Sequence, residues 1–239
     1  MSAQPQPSSQ PPAPPVDEPL AGERRSGLDL RILLALVAVV VVAGCVALLT
    51  VSGGNSRSSA GSIGGVKSPR YDGLLALPAG RALPLALRNY NGEMVNIAQY
   101  RGKAVLVTFL YTNCPDVCPL IASNLRVAQN LMAPAEAAKV RVIAVSVDPR
   151  GDTPKAVAAF LARHQMTGRM KYLLGDAHEL AGVWKAWGVG SERDAQQPQF
   201  VNHSGIIYGV SASGKVTTLY AASFTPQEVA HDAVLLASS

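Results

Sequence analysis

The stretch AVLVTFLYTNCPDVCP, from Ala104 to Pro119, decides how the rest of the chain is read. Its first half, Ala104 to Tyr111, is a continuous apolar and β-branched run. A strand of that kind is covered on both faces and lies centrally in a sheet. A second such run, VRVIAVSV, occupies Val140 to Val147. Between the two, Leu120 to Met132 places Ile121, Leu125, Ala128 and Met132 on one helical face. Strand, helix and strand in that order make a parallel crossover unit.

Working outward, helix starts are marked by caps. Asp152-Thr153-Pro154 opens one helix, with proline in its first turn. Asp176-Ala177-His178-Glu179 and Thr225-Pro226-Gln227-Glu228 both carry the capping-box pattern. Gly205–Val210 and Lys215–Ala221 form a hairpin about Ser213-Gly214, and Asn91-Gly92 closes an earlier one. The order is β-hairpin, β, α, β, α, β, α, β-hairpin, α. It predicts an α/β, thioredoxin-like fold with added β-hairpins, occupying residues 71–239.

Three further segments precede this domain. Residues 1–31 hold seven of the chain's seventeen prolines, from Pro5 to Pro19, and read as a disordered tail. Ile32 to Val51 carries no charge, and as a helix it spans roughly 30 Å, the thickness of a hydrocarbon core. It reads as a single transmembrane helix. Arg24, Arg25 and Arg31 flank it on one side and Arg57 alone on the other, which puts the tail in the cytoplasm and residues after Val51 outside the cell membrane. Val42-Ala43-Gly44-Cys45 resembles a lipobox, with Cys45 the residue to be lipidated. The apolar residues that continue beyond Cys45 favour an uncleaved anchor instead. Residues 52–70 read as a Gly/Ser-rich linker whose ends lie roughly 24 Å apart, a tether that keeps the domain near membrane-bound partners.

The chain has 239 residues, 15% of them charged, and a net charge of +5. Basic residues are scattered singly or in pairs, so no phosphate-tracking stripe exists and nucleic acid is excluded as a partner. Three cysteines are too few for a disulfide scaffold. Two of them, Cys114 and Cys118, stand between the first central strand and its helix, where ligands collect in parallel sheets. A cysteine beside a helix N-terminus has a lowered thiol pKa, and thiolate both attacks disulfides and binds soft metals.

The C-x3-C spacing separates Cα atoms by roughly 6.2 Å on a helix. That distance allows a disulfide and also lets two sulfurs converge on one ion. Thiol redox proteins use C-x2-C, so the extra residue points towards metal. A third ligand must come from four histidines. His164 follows a helix, His178 sits in a capping box and His231 lies in the polar part of the last helix. His203 differs, in a loop just before a hairpin strand. Two sulfurs and one imidazole suit copper by softness, and Cu(I) when only three ligands are present, whereas zinc wants a fourth. Asp116, Asp148 and Asp152 read as a solvated residue, a turn residue and a helix cap. Met166 and Met170 read as packing residues, with weak copper contacts the alternative.

Taken together, Gly102-Lys103, the FLYTNCPDVCP stretch (Phe109 to Pro119), VSVDPRGDTP (Val145 to Pro154) and Asn202-His203-Ser204 resemble the Sco/SenC family of copper-binding, thioredoxin-like proteins. The resemblance covers nearly the whole domain and the anchor-plus-domain layout. It implies copper ligation, as Cu(I) or Cu(II), by Cys114, Cys118 and His203. It implies a redox-active Cys114–Cys118 pair, and delivery of copper to the CuA subunit of cytochrome c oxidase. A copper donor or a thiol reductant would serve as a further partner. Leu110 replaces a usual glycine, Gly151 a commonly charged residue, and Val210-Ser211-Ala212 a hydrophobic-Asp-Pro turn. Two other classes stay in view. A thiol-disulfide oxidoreductase would need the cysteines alone, and a thiol peroxidase would need Thr112 with Arg126 or Arg150 at the thiol.

Overall fold

A computed structural model describes residues 65–76, 80–197 and 200–239. The tail, the apolar stretch Ile32–Val51 with Cys45, and most of the linker lie outside these residues. No helix among the described residues is long and apolar enough to cross a membrane.

Eleven strands and five α-helices are described, with one 3-10 turn at Ile97–Tyr100. The strands are β1 (Gly65–Val66), β2 (Leu74–Ala76), β3 (Ala86–Asn89), β4 (Met94–Asn96), β5 (Ala104–Leu110), β6 (Val140–Ser146), β7 (Met170–Leu174), β8 (Ser191–Arg193), β9 (Val201–His203), β10 (Ile206–Val210) and β11 (Val216–Ala221). The helices are α1 (Val117–Leu131), α2 (Pro134–Ala137), α3 (Pro154–Arg163), α4 (Ala177–Trp187) and α5 (Pro226–Leu236). A nine-stranded sheet runs β1-β2-β11-β10-β5-β6-β7-β3-β4, and β8 pairs with β9 separately. The strands β5, β6 and β7 are parallel neighbours, and the other pairings are antiparallel.

The apolar runs form the sheet centre because both faces are covered. All seven residues of β5 are buried. Gly209 lies opposite Leu106 on one face, where a side chain at Gly209 would run into Leu236 of α5. Tyr172, in register with Ala144 and Thr108 on that same face, meets Phe160 of α3 edge-on with ring centroids 6.1 Å apart. The opposite face carries Phe109 and Tyr208, against which Trp187 of α4 packs at 6.0 and 5.2 Å. Trp187 is fully buried, and its indole N–H donates to the Pro84 carbonyl at 2.8 Å.

Both capping boxes form, at Asp176/Glu179 and at Thr225/Glu228. The β3–β4 hairpin turns where Gly92 takes φ +89°, a conformation that favours glycine. Three expectations change. The cap of α3 is Thr153, whose hydroxyl accepts from the Ala156 N–H at 3.2 Å, and Asp152 turns inward instead. Helix α1 begins at Val117, three residues before the expected start. His203 ends a strand, β9, and is not in a loop. In addition, Gly65–Val66, within the stretch read as linker, pairs with β2. Met166 and Met170 are buried, and Met170 pairs with Val142 at the start of β6. That is the opposite end of the sheet from the cysteines, which fits packing and not metal contact.

Candidate metal and thiol site

The chain leaves β5 at Leu110 and enters α1 at Val117 through a tight turn, in which the Cys114 N–H donates to the Tyr111 carbonyl at 3.3 Å. Pro115 explains why Cys114 is not on the helix. A residue before proline is pushed out of the α region, so the helix starts only beyond it. The two cysteines therefore do not share a helical face at i and i+4, as their spacing suggested. Instead the turn folds Cys114 over the first turn of α1, where the Cys118 N–H donates to the Cys114 sulfur at 3.4 Å.

Both cysteines are free thiols and buried. Their environments split them. A hydrogen bond from the Cys118 thiol is the largest influence on Cys114, and burial works against it. The amides of Asp116 and Cys118 and the Tyr111 side chain add to the first effect, and the Cys114 pKa falls to about 5. Cys114 is thus a thiolate at neutral pH. For Cys118, donating to Cys114 and being buried both hold the proton on, and its pKa is raised far above the ordinary thiol value.

His203 comes to this pair from a distant part of the chain. Its Nε2 lies 3.7 Å from the Cys118 sulfur, and its Nδ1 lies 3.2 Å from the Ser204 carbonyl. With Nδ1–H donating to that carbonyl, Nε2 keeps its lone pair directed at the sulfurs. Burial lowers the imidazole pKa, so the ring is neutral and needs no proton removed to act as a ligand. The donor set passes a simple fit test. Metal–sulfur and metal–nitrogen bonds of about 2.3 and 2.0 Å, opened to roughly 110–120°, place S and N roughly 3.5–3.7 Å apart.

What presents His203 was not legible from local sequence. β8 holds β9 in register, Ser191 opposite His203. β8 is itself tied down at the C-terminal end of β6, where the Ser191 hydroxyl donates to the Val147 carbonyl at 3.1 Å and Arg193 pairs with buried Asp148. Asp148 keeps its turn role too, accepting from the Arg150 N–H at 3.2 Å. Gly151 packs against it so closely that a β-carbon would overlap the Asp148 carboxylate. Asp152, expected as a cap, is buried and accepts from the Thr112 N–H at 2.8 Å, the Ser146 hydroxyl at 2.6 Å and the Tyr172 hydroxyl at 3.0 Å. Asp116 is exposed and makes no side-chain cap bond, as a solvated residue should. His164, His178 and His231 do not join the site, and His231 instead pairs with Asp72 and Asp232.

Residues 82–237, which contain the whole of this arrangement, match the SCO1/SenC family model. The chain belongs to the SCO1/SenC family. It is 30% identical over 148 residues to the mitochondrial SCO2 homologue of Bos taurus, covering 60% of this chain and 55% of that protein. The chain thus spans about half the length of the curated relatives it matches. Among solved structures, ScoI of Bradyrhizobium japonicum with copper bound is 30% identical, with a TM-score of 0.55 over 65% of this chain and 98% of that one. BsSco, described as a Sco family cytochrome c oxidase assembly protein with a disulfide switch, is 26% identical, with a TM-score of 0.56 over 69% and 98%. These likenesses bear out the thioredoxin-like Sco fold.

Proposed function

We propose that this SCO1/SenC protein is a membrane-tethered copper carrier, which holds copper through Cys114, Cys118 and His203 and hands it to the copper-site subunit of cytochrome c oxidase. The observation that carries the reading is the meeting of the Cys118 sulfur and His203 Nε2 at 3.7 Å beside the Cys114 thiolate. The copper bound by the Bradyrhizobium relative and the oxidase-assembly role of BsSco support it. Loading needs one proton removed, from Cys118, since Cys114 and His203 already stand in their ligand forms. Three ligands leave room for an incoming thiolate or imidazole of the acceptor, so cargo can pass by ligand exchange.

The anchor is part of the proposal. Ile32–Val51 spans the cell membrane with the tail in the cytoplasm, and the linker lets the domain search the outer face. Protease added to intact spheroplasts should then degrade the domain and spare the tail. For the copper reading, the full-length chain is titrated with Cu(I) against a competing chelator, beside His203→Ala and Cys114→Ala. Wild type must bind one copper far more tightly than either variant, and equal affinity ends the reading.

The divided thiols favour a second reading, reduction of the oxidase's copper-site cysteines. Cys114 thiolate would attack a target disulfide, forming a mixed disulfide and releasing one target thiolate. Cys118, losing its proton, would then attack the Cys114 sulfur and release the second target thiol. The chain would end with a Cys114–Cys118 disulfide, to be reduced by an external thiol reductant. This route needs no imidazole. Full oxidase assembly with His203→Ala, and loss with Cys118→Ala, would select it over copper delivery.

A further inference from the structure

Basic residues gather at one end of the sheet. Lys103, Lys139 and Arg169 stand immediately before β5, β6 and β7, and Arg141 and Lys171 are the second residues of β6 and β7. Those strands run parallel, so all five lie at the end where the strands begin, the length of β5 or roughly 20 Å from the cysteine turn. Acids take the other end, where Asp116, Asp148 and Asp176 follow the same three strands.

Helix ends do not account for these bases, since α1 and α5 have no basic residue in their last turns. Carboxylates do not account for them either. Lys171 pairs with Glu93, and Glu136 caps its own helix by accepting from the Ala133 N–H. Among the described residues, Lys103, Lys139, Arg141 and Arg169 have no carboxylate partner. Arg141, Arg169 and Lys171 line a cavity of about 610 Å³ with Gln129, whose Oε1 is buried without a hydrogen-bond partner. Leu131, between the lining residues Asn130 and Met132, and Met94, beside Glu93, are large apolar side chains about half exposed at this end. Cations interleaved with exposed apolar side chains are what an anionic bilayer surface binds.

The chain also enters the domain here. Gly65 pairs with Ala76, and the ladder through β2, β11 and β10 sets it level with the start of β5. The thirteen residues 52–64 lie between the apolar stretch and Gly65, and as a coil their ends stand roughly 20 Å apart.

We propose that this basic end docks on anionic phospholipid headgroups of the membrane that anchors the chain. The proposal rests on the anchor reading, under which the domain hangs by this end. The guanidiniums of Arg141 and Arg169 take headgroup phosphate into the cavity, and the Gln129 amide oxygen accepts from a headgroup hydroxyl. Leu131 and Met94 enter the interface. The acidic end is repelled, so the Cys114, Cys118 and His203 site faces away from the bilayer.

The test reconstitutes the full-length chain in vesicles of phosphatidylcholine, with and without phosphatidylglycerol, and follows lysine acylation by mass spectrometry. Each cation near such a surface favours docking about fivefold, so even two of them leave few domains undocked. Lys103 and Lys139 should therefore react about tenfold more slowly when phosphatidylglycerol is present. Lys155, exposed in the first turn of α3 at the acidic end, should react equally in both. Added salt should restore the fast rates. Arg169→Gln, an exposed change, should recover part of the rate, and Arg141→Gln with Arg169→Gln most of it. Equal rates in the two vesicles, or Lys155 slowed as much as Lys139, overturns the docking. The same protection from inorganic phosphate beside neutral vesicles makes a soluble anion the occupant and overturns the membrane. Flotation with neutral vesicles reports the anchor separately. A chain that fails to float there loses the anchor reading, and acylation beside phosphatidylglycerol vesicles still decides the basic surface.

Discussion

Asp152 carries a load that can be measured. Its carboxylate is buried and is the acceptor for three donors at once, the Thr112 N–H and the hydroxyls of Ser146 and Tyr172. Asp152→Ala strands all three of these donors in a buried place, since the Asp148 N–H at 3.1 Å uses the Ser146 hydroxyl only as an acceptor. At about 1–3 kcal/mol for each stranded buried donor, the expected loss is about 6 kcal/mol. That is a large share of the roughly 5–15 kcal/mol available to a domain. Asp152→Asn keeps an acceptor for Thr112 and lets the two hydroxyls reorient, so it should lose only about 1–2 kcal/mol. Urea unfolding followed by circular dichroism measures both. The pH dependence supplies an independent check. Burial raises the Asp152 pKa above its unfolded value, so the folded state holds the proton more tightly. Its contribution is then fully present below the unfolded pKa of about 3.9 and falls as pH rises through the folded value. The advantage of wild type over Asp152→Asn should narrow between acid and neutral pH. A loss under about 1 kcal/mol for Asp152→Ala, or a gap that widens with pH, would refute the reasoning.

Three more predictions concern the site and its supports. Iodoacetamide should alkylate Cys114 and spare Cys118, at a rate that is flat at neutral pH and falls as pH drops through about 5. In Cys118→Ala, where the strongest hydrogen bond to Cys114 is gone, that profile should move to higher pH, and a profile that stays put would contradict the assignment. Gly151→Ala should lose about 1–3 kcal/mol in urea unfolding, because its β-carbon displaces the Asp148 carboxylate. Arg193→Ala should leave Asp148 buried with one partner fewer and free β8, weakening Cu(I) binding by about tenfold, or ~1.4 kcal/mol, with little change in Cys114 alkylation. Equal loss of both properties would mean that the whole domain had loosened.

How much of this could be read from sequence depends on the range of the interaction. β5 and β6 were plain because a strand covered on both faces needs no neighbour to identify it. The capping boxes at Asp176 and Thr225 and the Asn91-Gly92 turn were equally local. The strands β8 and β9 were not legible. Ser191–Arg193 and Val201–His203 are too short and polar for any periodicity, and they exist because Ser191 and Arg193 find Val147 and Asp148 some forty residues earlier. For the same reason His203 looked like a loop residue. Asp152 misled differently. Asp-Thr-Pro offers two capping residues in a row, and local pattern cannot say which side chain the core will claim. The core claims Asp152 because Tyr172, brought alongside by β7, needs an acceptor.

The same contrast of range bears on how cargo could leave. Cys114 and Cys118 are both buried, and they stand between the fully buried β5 and the first turn of α1. His203 is mounted on a two-stranded excursion outside the main sheet, and its ties include the Ser191 hydroxyl, the Arg193–Asp148 pair and the Tyr111 ring. Elements with few buried contacts are those that open at low cost. If the proposed carrier role holds, the imidazole would be the ligand to release first, with the two sulfurs keeping hold until the acceptor's own ligands arrive. Hydrogen exchange supplies the test. β9 amides should exchange orders of magnitude faster than those of β5, and copper loading should slow β9 far more than β5. Equal protection of the two strands in the metal-free protein would remove the mechanical asymmetry on which that order of release depends.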